Sequence, residues 1–422
     1  MRRGFAPITI MEREKKTINK NALAIFLCWL VYTCSYIGKL GYNANITQIE
    51  NAFAVTHAQS GSVGTAFFFA YGAGQIVNGL FCKKYNKRYA IFVALLISSV
   101  CNLSVPFITN FSFLKYVWFL NGAALSCLWA VLAGFLSENL DEGYIAKSVM
   151  VMGTTVACGT FAVYGLSALF VKMSVYKSIF YVAAAALPIV AALWFILYPS
   201  LCKQKSSGEK YSDEERKAIL GESKKTDKRT VTVIILLGFF AVATNLIKDG
   251  ITVWIPTMLK EIYSTPDYLS ILLTLCLPLV AVFGTAVAVF LNKYVKSFVS
   301  LCGCLFVIAA VAIGVNLLFG EKSAVVLIAC LCAVSLVMAG TNNVITSMAP
   351  LTHKGGNAGM IAGILNGCSY LGSTISSYGL GKTADSFGWN GVFLLLAATS
   401  VVCIIISAVY TVISKISEKR GA

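Results

Sequence analysis

The chain has 422 residues, of which 58% are hydrophobic and only 12% are charged, and its mean hydropathy is +0.77. Soluble domains carry roughly 25% charged residues, so this composition excludes an ordinary soluble domain and indicates a polytopic membrane protein. The net charge of +16 could suggest a nucleic-acid partner, but 26 of the 34 basic residues fall on one side of an alternating series of apolar runs. That asymmetry follows the positive-inside rule, so no nucleic-acid partner is expected.

Each apolar run is close to the ~20 residues that a helix needs to cross a bilayer. The sequence therefore predicts an all-α polytopic membrane protein with twelve transmembrane helices in two six-helix halves. The basic residues place both termini in the cytoplasm, and the first span is expected to act as a signal anchor because the polar, basic start is no cleavable signal. The expected spans are 21–43, 58–81, 89–109, 113–137, 146–171, 177–199, 230–255, 267–291, 298–319, 323–348, 357–381 and 390–414.

A charged stretch interrupts this pattern near the middle of the chain. Residues 200–229 hold nine basic and six acidic residues, which is typical of a solvated cytoplasmic linker. The expected domains are a cytoplasmic tail at 1–20, a six-helix bundle at 21–199, the linker at 200–229, a second six-helix bundle at 230–414 and a cytoplasmic tail at 415–422.

Two short patterns recur at one offset. Lys39-Leu40-Gly41 is followed 209 positions later by Lys248-Asp249-Gly250, and the Lys-Tyr-x-Lys pattern at 84–87 recurs at 293–296. Each copy falls at the equivalent place in its half. In transporters built from repeats, the substrate site lies near the bilayer midplane between the repeats, so the sequence predicts a site between the two halves.

The candidate site residues are polar groups inside expected spans. A charge at the bilayer centre costs at least ~2.5–3.5 kcal/mol, so Lys39 and Lys248 indicate a functional site. Tyr36 and Asn43 share the helical face of Lys39, although such a face could also be a hydrogen-bonded seam between helices. Asp249 is the one clear embedded carboxylate, and a local ion pair is an alternative role for it. Further amides and hydroxyls are expected to line the cavity: Asn245, Asn342 and Tyr370.

Nothing in the sequence indicates an enzyme, a metal site or a cofactor. The 14 cysteines are scattered through apolar runs, and the only two histidines, His57 and His353, lie in expected loops. Neither the close cysteine pairs nor the histidines have metal-site spacing, and no nucleophile with a base and an orienting acid can be assembled.

Three motifs resemble a known family. The stretch 247–261, IKDGITVWIPTMLKE, has a cation followed by Gly, Trp, Pro and Leu-Lys-Glu. The stretch 369–393 contains a Gly-Trp-x-Gly turn at 388–391, and in 35–43 a tyrosine is followed three residues later by a cation. With twelve spans in two repeats, these motifs resemble the major facilitator superfamily, and within it the organophosphate:phosphate antiporters that carry glycerol phosphate and hexose phosphates. The resemblance covers most of the chain.

The resemblance implies a phosphate site made by two arginines in spans 1 and 7, at the positions of Lys39 and Lys248. Both residues are lysine here. Arginine binds phosphate through a planar bidentate fork whereas lysine is a point charge, so an anion is implied but a phosphate ester is not fixed. The family's acidic residue in the span 2–3 loop falls on Lys83, so gating contacts there are expected to differ.

The sequence therefore predicts a secondary transporter of a small organic anion (a sugar phosphate, another organophosphate or a carboxylate) that works by alternating access. Because embedded carboxylates are scarce, exchange is favoured over proton symport. The expected setting is a monomer in a bacterial plasma membrane. The alternatives are a transporter-like membrane sensor and a symporter of a neutral or zwitterionic solute. The assigned residues are Lys39, Lys248, Tyr36, Asn43, Asn245, Asn342 and Tyr370 for substrate binding, and Asp249, Lys83 and Lys84 for coupling or gating.

Overall fold

A computed structural model describes the backbone of most of the chain. All regular elements in the described residues are helices, which confirms the predicted all-α class. Lys83, Lys84 and most of the expected linker lie outside the described residues. The described backbone covers 10–81, 86–202, 228–351 and 358–421, and the described side chains cover 20–78, 81, 86–202, 230–350 and 361–416, except Glu142 and Ala146.

Several expected spans in the first half of the chain (residues 1–202) are single helices, but two are split. The spans expected at 113–137 and 146–171 are each divided into two helices by a short break. The helices are α1 (Ile10–Ala44), α2 (Ile46–Phe53), α3 (His57–Phe81), α4 (Lys87–Ser104), α5 (Phe111–Leu125), α6 (Leu128–Asn139), α7 (Glu142–Gly153), α8 (Thr155–Lys172) and α9 (Ser178–Leu201), with a 3-10 turn at Val105–Phe107.

The second half (residues 228–422) begins with a long helix that corrects one expectation. Span 7 was expected to end at 255, before Pro256, but the helix continues to Tyr263 with Pro256 inside it. Neighbouring helices can satisfy the carbonyl that a proline leaves free within a membrane. The helices are α10 (Lys228–Tyr263), α11 (Asp267–Leu273), α12 (Cys276–Ala281), α13 (Gly284–Asn292), α14 (Phe298–Phe319), α15 (Ala324–Asn343), α16 (Ala349–Leu351) and α17 (Ala358–Gly421), with a π-helical segment at Val344–Met348.

The helices fit the predicted twelve-helix count. Ten helical stretches of the described residues are long and apolar enough to cross a membrane. One of these, Ile361–Ile416, contains two expected spans, because α17 bends at Gly388, which has φ +65°. The remaining span is α3, which is 25 residues long but interrupted by polar residues such as Gln75 and Asn78. Bulky apolar side chains are widely exposed on the outside of the helices, which suits contact with lipid.

The two halves of the chain meet mainly along one pair of helices. Before its bend, α17 packs against α3 from the first half and against α10 from its own half. The approach is close at Gly72, where an added Cβ would lie 2.6 Å from the Cβ of Tyr370. This contact brings residues of α3 and α17 to the place where α1 and α10 carry their lysines.

Candidate functional site

Lys39 is held by aromatic rings. Its Nζ lies 4.3 Å from the ring centroid of Tyr71, 5.2 Å from that of Tyr36 and 5.8 Å from that of Phe67. A ring face attracts a cation without neutralising its charge. Among the ion pairs of the described residues, none includes Lys39. The ammonium group is half-buried, so its positive charge remains available to an anion.

Tyr71 joins this aromatic group to the second half of the chain. Its ring lies 5.1 Å from that of Tyr370 on α17; Tyr71 is buried and Tyr370 is partly buried. Tyr32 continues the group along α1, with its ring 5.6 Å from that of Tyr36. The predicted site residues Tyr36, Lys39 and Tyr370 are thus brought together, and Tyr71 and Phe67, which were not among them, complete the contact.

Lys248 differs from Lys39 because it has a carboxylate beside it. Its Nζ lies 3.3 Å from Oδ1 of Asp249, and both side chains are about a quarter exposed, at 26% and 23%. Ser373 of α17 donates a hydrogen bond to the other carboxylate oxygen of Asp249. Lys248 and Asp249 of α10 are thus tied to Ser373 of α17.

The two predicted asparagines of the second half bind each other. The amide of Asn245 donates to Oδ1 of Asn342 at 3.0 Å and to the carbonyl of Ala241 at 3.0 Å, and Ser369 donates to Asn342 at 3.4 Å. These bonds form a polar seam between α10, α15 and α17. Asn43, one turn beyond Lys39 on α1, is buried.

A second polar cluster joins the halves at the α2 end of the molecule. Two of its members, Glu261 and Trp389, belong to the motifs that carry the family resemblance, but their spacing in the sequence does not predict a contact with His57. We name the side chains of His57, Glu50, Glu261, Asp385 and Trp389 the His57 cluster. The ring nitrogens of His57 lie 3.0 Å from Glu50 of α2 and 3.2 Å from Glu261 of α10. Trp389 donates to Glu261 at 2.8 Å, and Asp385 of α17 accepts from the backbone N–H of His57 at 3.0 Å.

The sequence analysis expected His57 in a loop, but it is the first residue of α3. It is hard to foresee as part of a cluster, because its partners lie on three other helices. Nearby, the hydroxyls of Thr47 and Thr257 lie 2.9 Å apart across the halves. On the far side of Tyr71, Asn366 donates to Gln75 at 2.7 Å. The named contacts between the halves therefore run from the His57 cluster past Lys39 to Gln75.

Solved transporter structures share this fold. A bacterial homolog of the human lysosomal transporter Spinster, in an inward-facing and occupied conformation, matches with a TM-score of 0.72 at 14% identity, over 93% of this chain and 97% of that one. A mutant of the nucleoside transporter NupG matches with a TM-score of 0.71 at 13% identity, over 92% and 99% of the two chains. At these identities, the likeness concerns the fold alone.

Sequence relatives include carriers and sensors. A probable hexose phosphate transport protein of Chlamydia trachomatis is 22% identical over 94% of this chain and 92% of its own length. The glycerol-3-phosphate transporter of Bacillus subtilis is 24% identical over 55% and 57% of the two lengths. The membrane sensor protein UhpC of Salmonella typhimurium is 28% identical over 93 residues, and the match spans only 21% of that sensor's length.

The Major Facilitator Superfamily profile matches residues 28–377, which is most of the chain. That range contains both lysines and the aromatic contact of Tyr71 with Tyr370. Family and fold are those of membrane transporters for small molecules rather than of enzymes. The relatives confirm the resemblance to organophosphate carriers. The chain belongs to the Major Facilitator Superfamily.

Proposed function

We propose that the protein is a secondary transporter that exchanges small organic anions by alternating access. The observation that carries this proposal is Lys39, a cation inside a span, held by ring faces and without a carboxylate in the described ion pairs. A buried charge without a partner is costly, and a bound anion would supply the partner. Loading would therefore stabilise the state in which the halves close around the site.

Lys248 and Tyr370 would complete the site from the second half of the chain. Lys248 would bring a second ammonium group, shared with Asp249, and the Tyr36 and Tyr370 hydroxyls would donate to the substrate. Because lysine ammonium groups bind as point charges, carboxylates and phosphate esters would both be accepted, with discrimination left to the tyrosines. The substrate class favoured by the named relatives is a sugar phosphate or another organophosphate.

The proposed arrangement in the membrane follows from the distribution of basic residues. The units are a six-helix bundle at 21–199 and a second at 230–414, with both termini and the linker in the cytoplasm of a bacterial plasma membrane and the protein acting as a monomer. In this orientation the His57 cluster lies at the outer end. Lys83 and Lys84 would lie at the cytoplasmic end, where we retain them as gating candidates.

One observation favours a second candidate function. Because Asp249 lies 3.3 Å from Lys248, the site holds both charge signs. A zwitterionic solute could place its anionic group at Lys39 and its cationic group at Asp249, with the solute carried by symport. A transporter-like sensor is a third candidate, supported only by the short match to the membrane sensors.

Uptake into proteoliposomes tests the proposal. Vesicles loaded with inorganic phosphate are supplied with labelled hexose phosphate, glycerol phosphate and a dicarboxylate. We expect exchange of at least one of these, and Lys39→Ala to lower the affinity for it by about 10- to 100-fold, since a hydrogen bond to a charged group contributes about 1.5–3 kcal/mol. Lys39→Arg should retain most of the binding.

The matched control is Lys293→Ala, which removes an exposed lysine outside the site. If Lys39→Ala and Lys293→Ala exchange every anion at the same rate, the site assignment is wrong. Binding of an anion without any exchange would favour the sensor, and uptake of a zwitterion that phosphate does not inhibit would favour the symporter.

A further inference from the structure

The His57 cluster has no part in the proposed binding of substrate, yet it ties four helices together. Glu50 is 6% exposed and also accepts a hydrogen bond from Ser60. The imidazole ring lies 5.5 Å from the ring of Trp254 and 5.4 Å from that of Trp389. Three of the partners (Trp254, Glu261 and Trp389) belong to the second half of the chain, whereas Glu50 belongs to the first.

The geometry of the cluster requires a proton. Both ring nitrogens of His57 face a carboxylate oxygen within 3.2 Å. A neutral imidazole has one N–H donor, and only the imidazolium has two. A neutral ring would therefore turn a lone pair toward one of the two carboxylates. The cluster is satisfied when His57 is positively charged.

When this end opens, the partners of His57 would be divided between the two halves. Glu261 and Trp389 would leave with the second half, and Asp385 would release the N-terminus of α3. His57 would keep Glu50 alone. Because the open arrangement offers one carboxylate fewer, it binds the proton more weakly than the closed one.

We propose that His57 is a proton-binding site whose occupancy locks the α2 end of the transporter closed. The proposal rests on the alternating-access part of the proposed function. It does not depend on which solute is carried, since none of the residues of the His57 cluster is assigned to substrate binding. By linkage, a bound proton disfavours the conformation that is open at this end. Transport should therefore respond to the pH on this side of the membrane.

The charged groups around His57 give the direction and range of the effect. Burial alone would lower the pKa of His57, but the hydrogen bonds that its ring donates to Glu261 and Glu50, together with the charges of these carboxylates, outweigh it and raise the pKa to about 10. Asp385 contacts the backbone of His57, and the neighbouring Lys260 is paired with Asp267 at 2.9 Å.

In the open end the pKa should fall toward the ordinary histidine value of about 6.5. The free energy by which the bound proton stabilises the closed end is then at its full value below the open-state pKa. It is lost as the pH rises through about 10, the pKa in the closed end. Between these limits, the ratio of open to closed molecules rises with pH, by at most about tenfold per pH unit for one proton.

Distance measurement by pulsed electron paramagnetic resonance tests this inference without substrate. Spin labels are attached through introduced non-natural amino acids at Ser112 and Lys322, two exposed positions in different halves near this end. Between about pH 7 and about pH 9, inside the linkage window, we expect the long-distance population to grow with pH. In His57→Gln that population should be larger at the low end of the range and independent of pH.

His353→Gln is the matched control, because it removes the only other histidine of the chain. It should keep the pH response of the unsubstituted protein. A response that survives in His57→Gln, a response lost in His353→Gln, or an end that opens at acid pH would each overturn the inference. Failure of every anion to exchange, with the pH response intact, would count against the proposed substrate and leave the proton site standing.

Discussion

Lys39 and Lys248 occupy equivalent positions of an internal repeat, but the residue that follows each lysine is different. Leu40 follows the first, and Asp249 follows the second. As a result, Lys39 is surrounded by ring faces, whereas Lys248 shares its charge with the neighbouring carboxylate. The two lysines therefore need not contribute equally to binding an anion, although the repeat alone suggests that they would.

This difference can be tested with Asp249→Asn. For an anionic substrate, the change removes a competitor for Lys248, so the affinity should increase. A partly exposed ion pair contributes about 0.2–1 kcal/mol, which corresponds to an increase of up to about fivefold. Isothermal titration or a thermal-shift series with the exchanged anion measures it.

Ser373→Ala is the companion variant, because it removes the hydrogen bond to Asp249 and leaves both charges in place. It should change the affinity less than Asp249→Asn does. Weaker binding in Asp249→Asn would contradict the anion hypothesis and support a substrate with a cationic group.

Part of this site could be predicted from the sequence because charge inside a span is conspicuous. Lys39, Lys248 and Asp249 stand out against apolar neighbours, and Tyr36 shares a helical face with Lys39. The partners of these residues could not be predicted in the same way. Tyr71 and Ser373 reach the site only because α3 and α17 pack closely, and that contact depends on tertiary structure rather than on local spacing.

At the scale of elements, the spans were predictable from apolar length, but their internal breaks were not. Hydropathy does not depend on helix geometry. It therefore predicts neither the split between α5 and α6 nor the π-helical segment at Val344–Met348. At Pro256 the sequence predicted a helix end that the structure does not have. A proline usually ends a helix in water, but here α10 continues past it.

The turn at Gly388 was marked by its sequence, Gly-Trp-x-Gly. Its φ of +65° and ψ of −175° fall in a region that is essentially restricted to glycine. We expect Gly388→Ala to lower the free energy of unfolding by about 1–3 kcal/mol, because the new Cβ makes this backbone conformation strained. Thermal unfolding in detergent measures the change as a lower midpoint.

Gly165→Ala is the comparison, since a Cβ at that helical position meets no atom within 4 Å. It should leave the midpoint unchanged or raise it slightly, because alanine favours a helix by about 0.5–1 kcal/mol over glycine. Equal effects of the two substitutions would contradict the assignment of strain to Gly388.

At the scale of the whole molecule, contacts at the α2 end link the two halves through groups that can separate without breaking either half. Thr47 lies on α2 and Thr257 on α10, and the His57 cluster is divided between the same halves. The core of each half depends instead on apolar packing within it, for example of α4 with α9 and of α14 with α17. Polar contacts between apolar bodies are what a rocking motion requires, because they can be exchanged for water when one end opens.

If this end must open during transport, a covalent link across it should stop the cycle. The hydroxyls of Thr47 and Thr257 are 2.9 Å apart, so cysteines at both positions would lie close enough for a disulfide. We expect the oxidised double variant to lose exchange in proteoliposomes and to regain it on reduction, while either single variant keeps its activity in both conditions. Since the protein has native cysteines, the single variants also reveal any unrelated effect of the oxidant. Full exchange by a quantitatively crosslinked protein would show that the α2 end does not open, and would refute alternating access between these two halves.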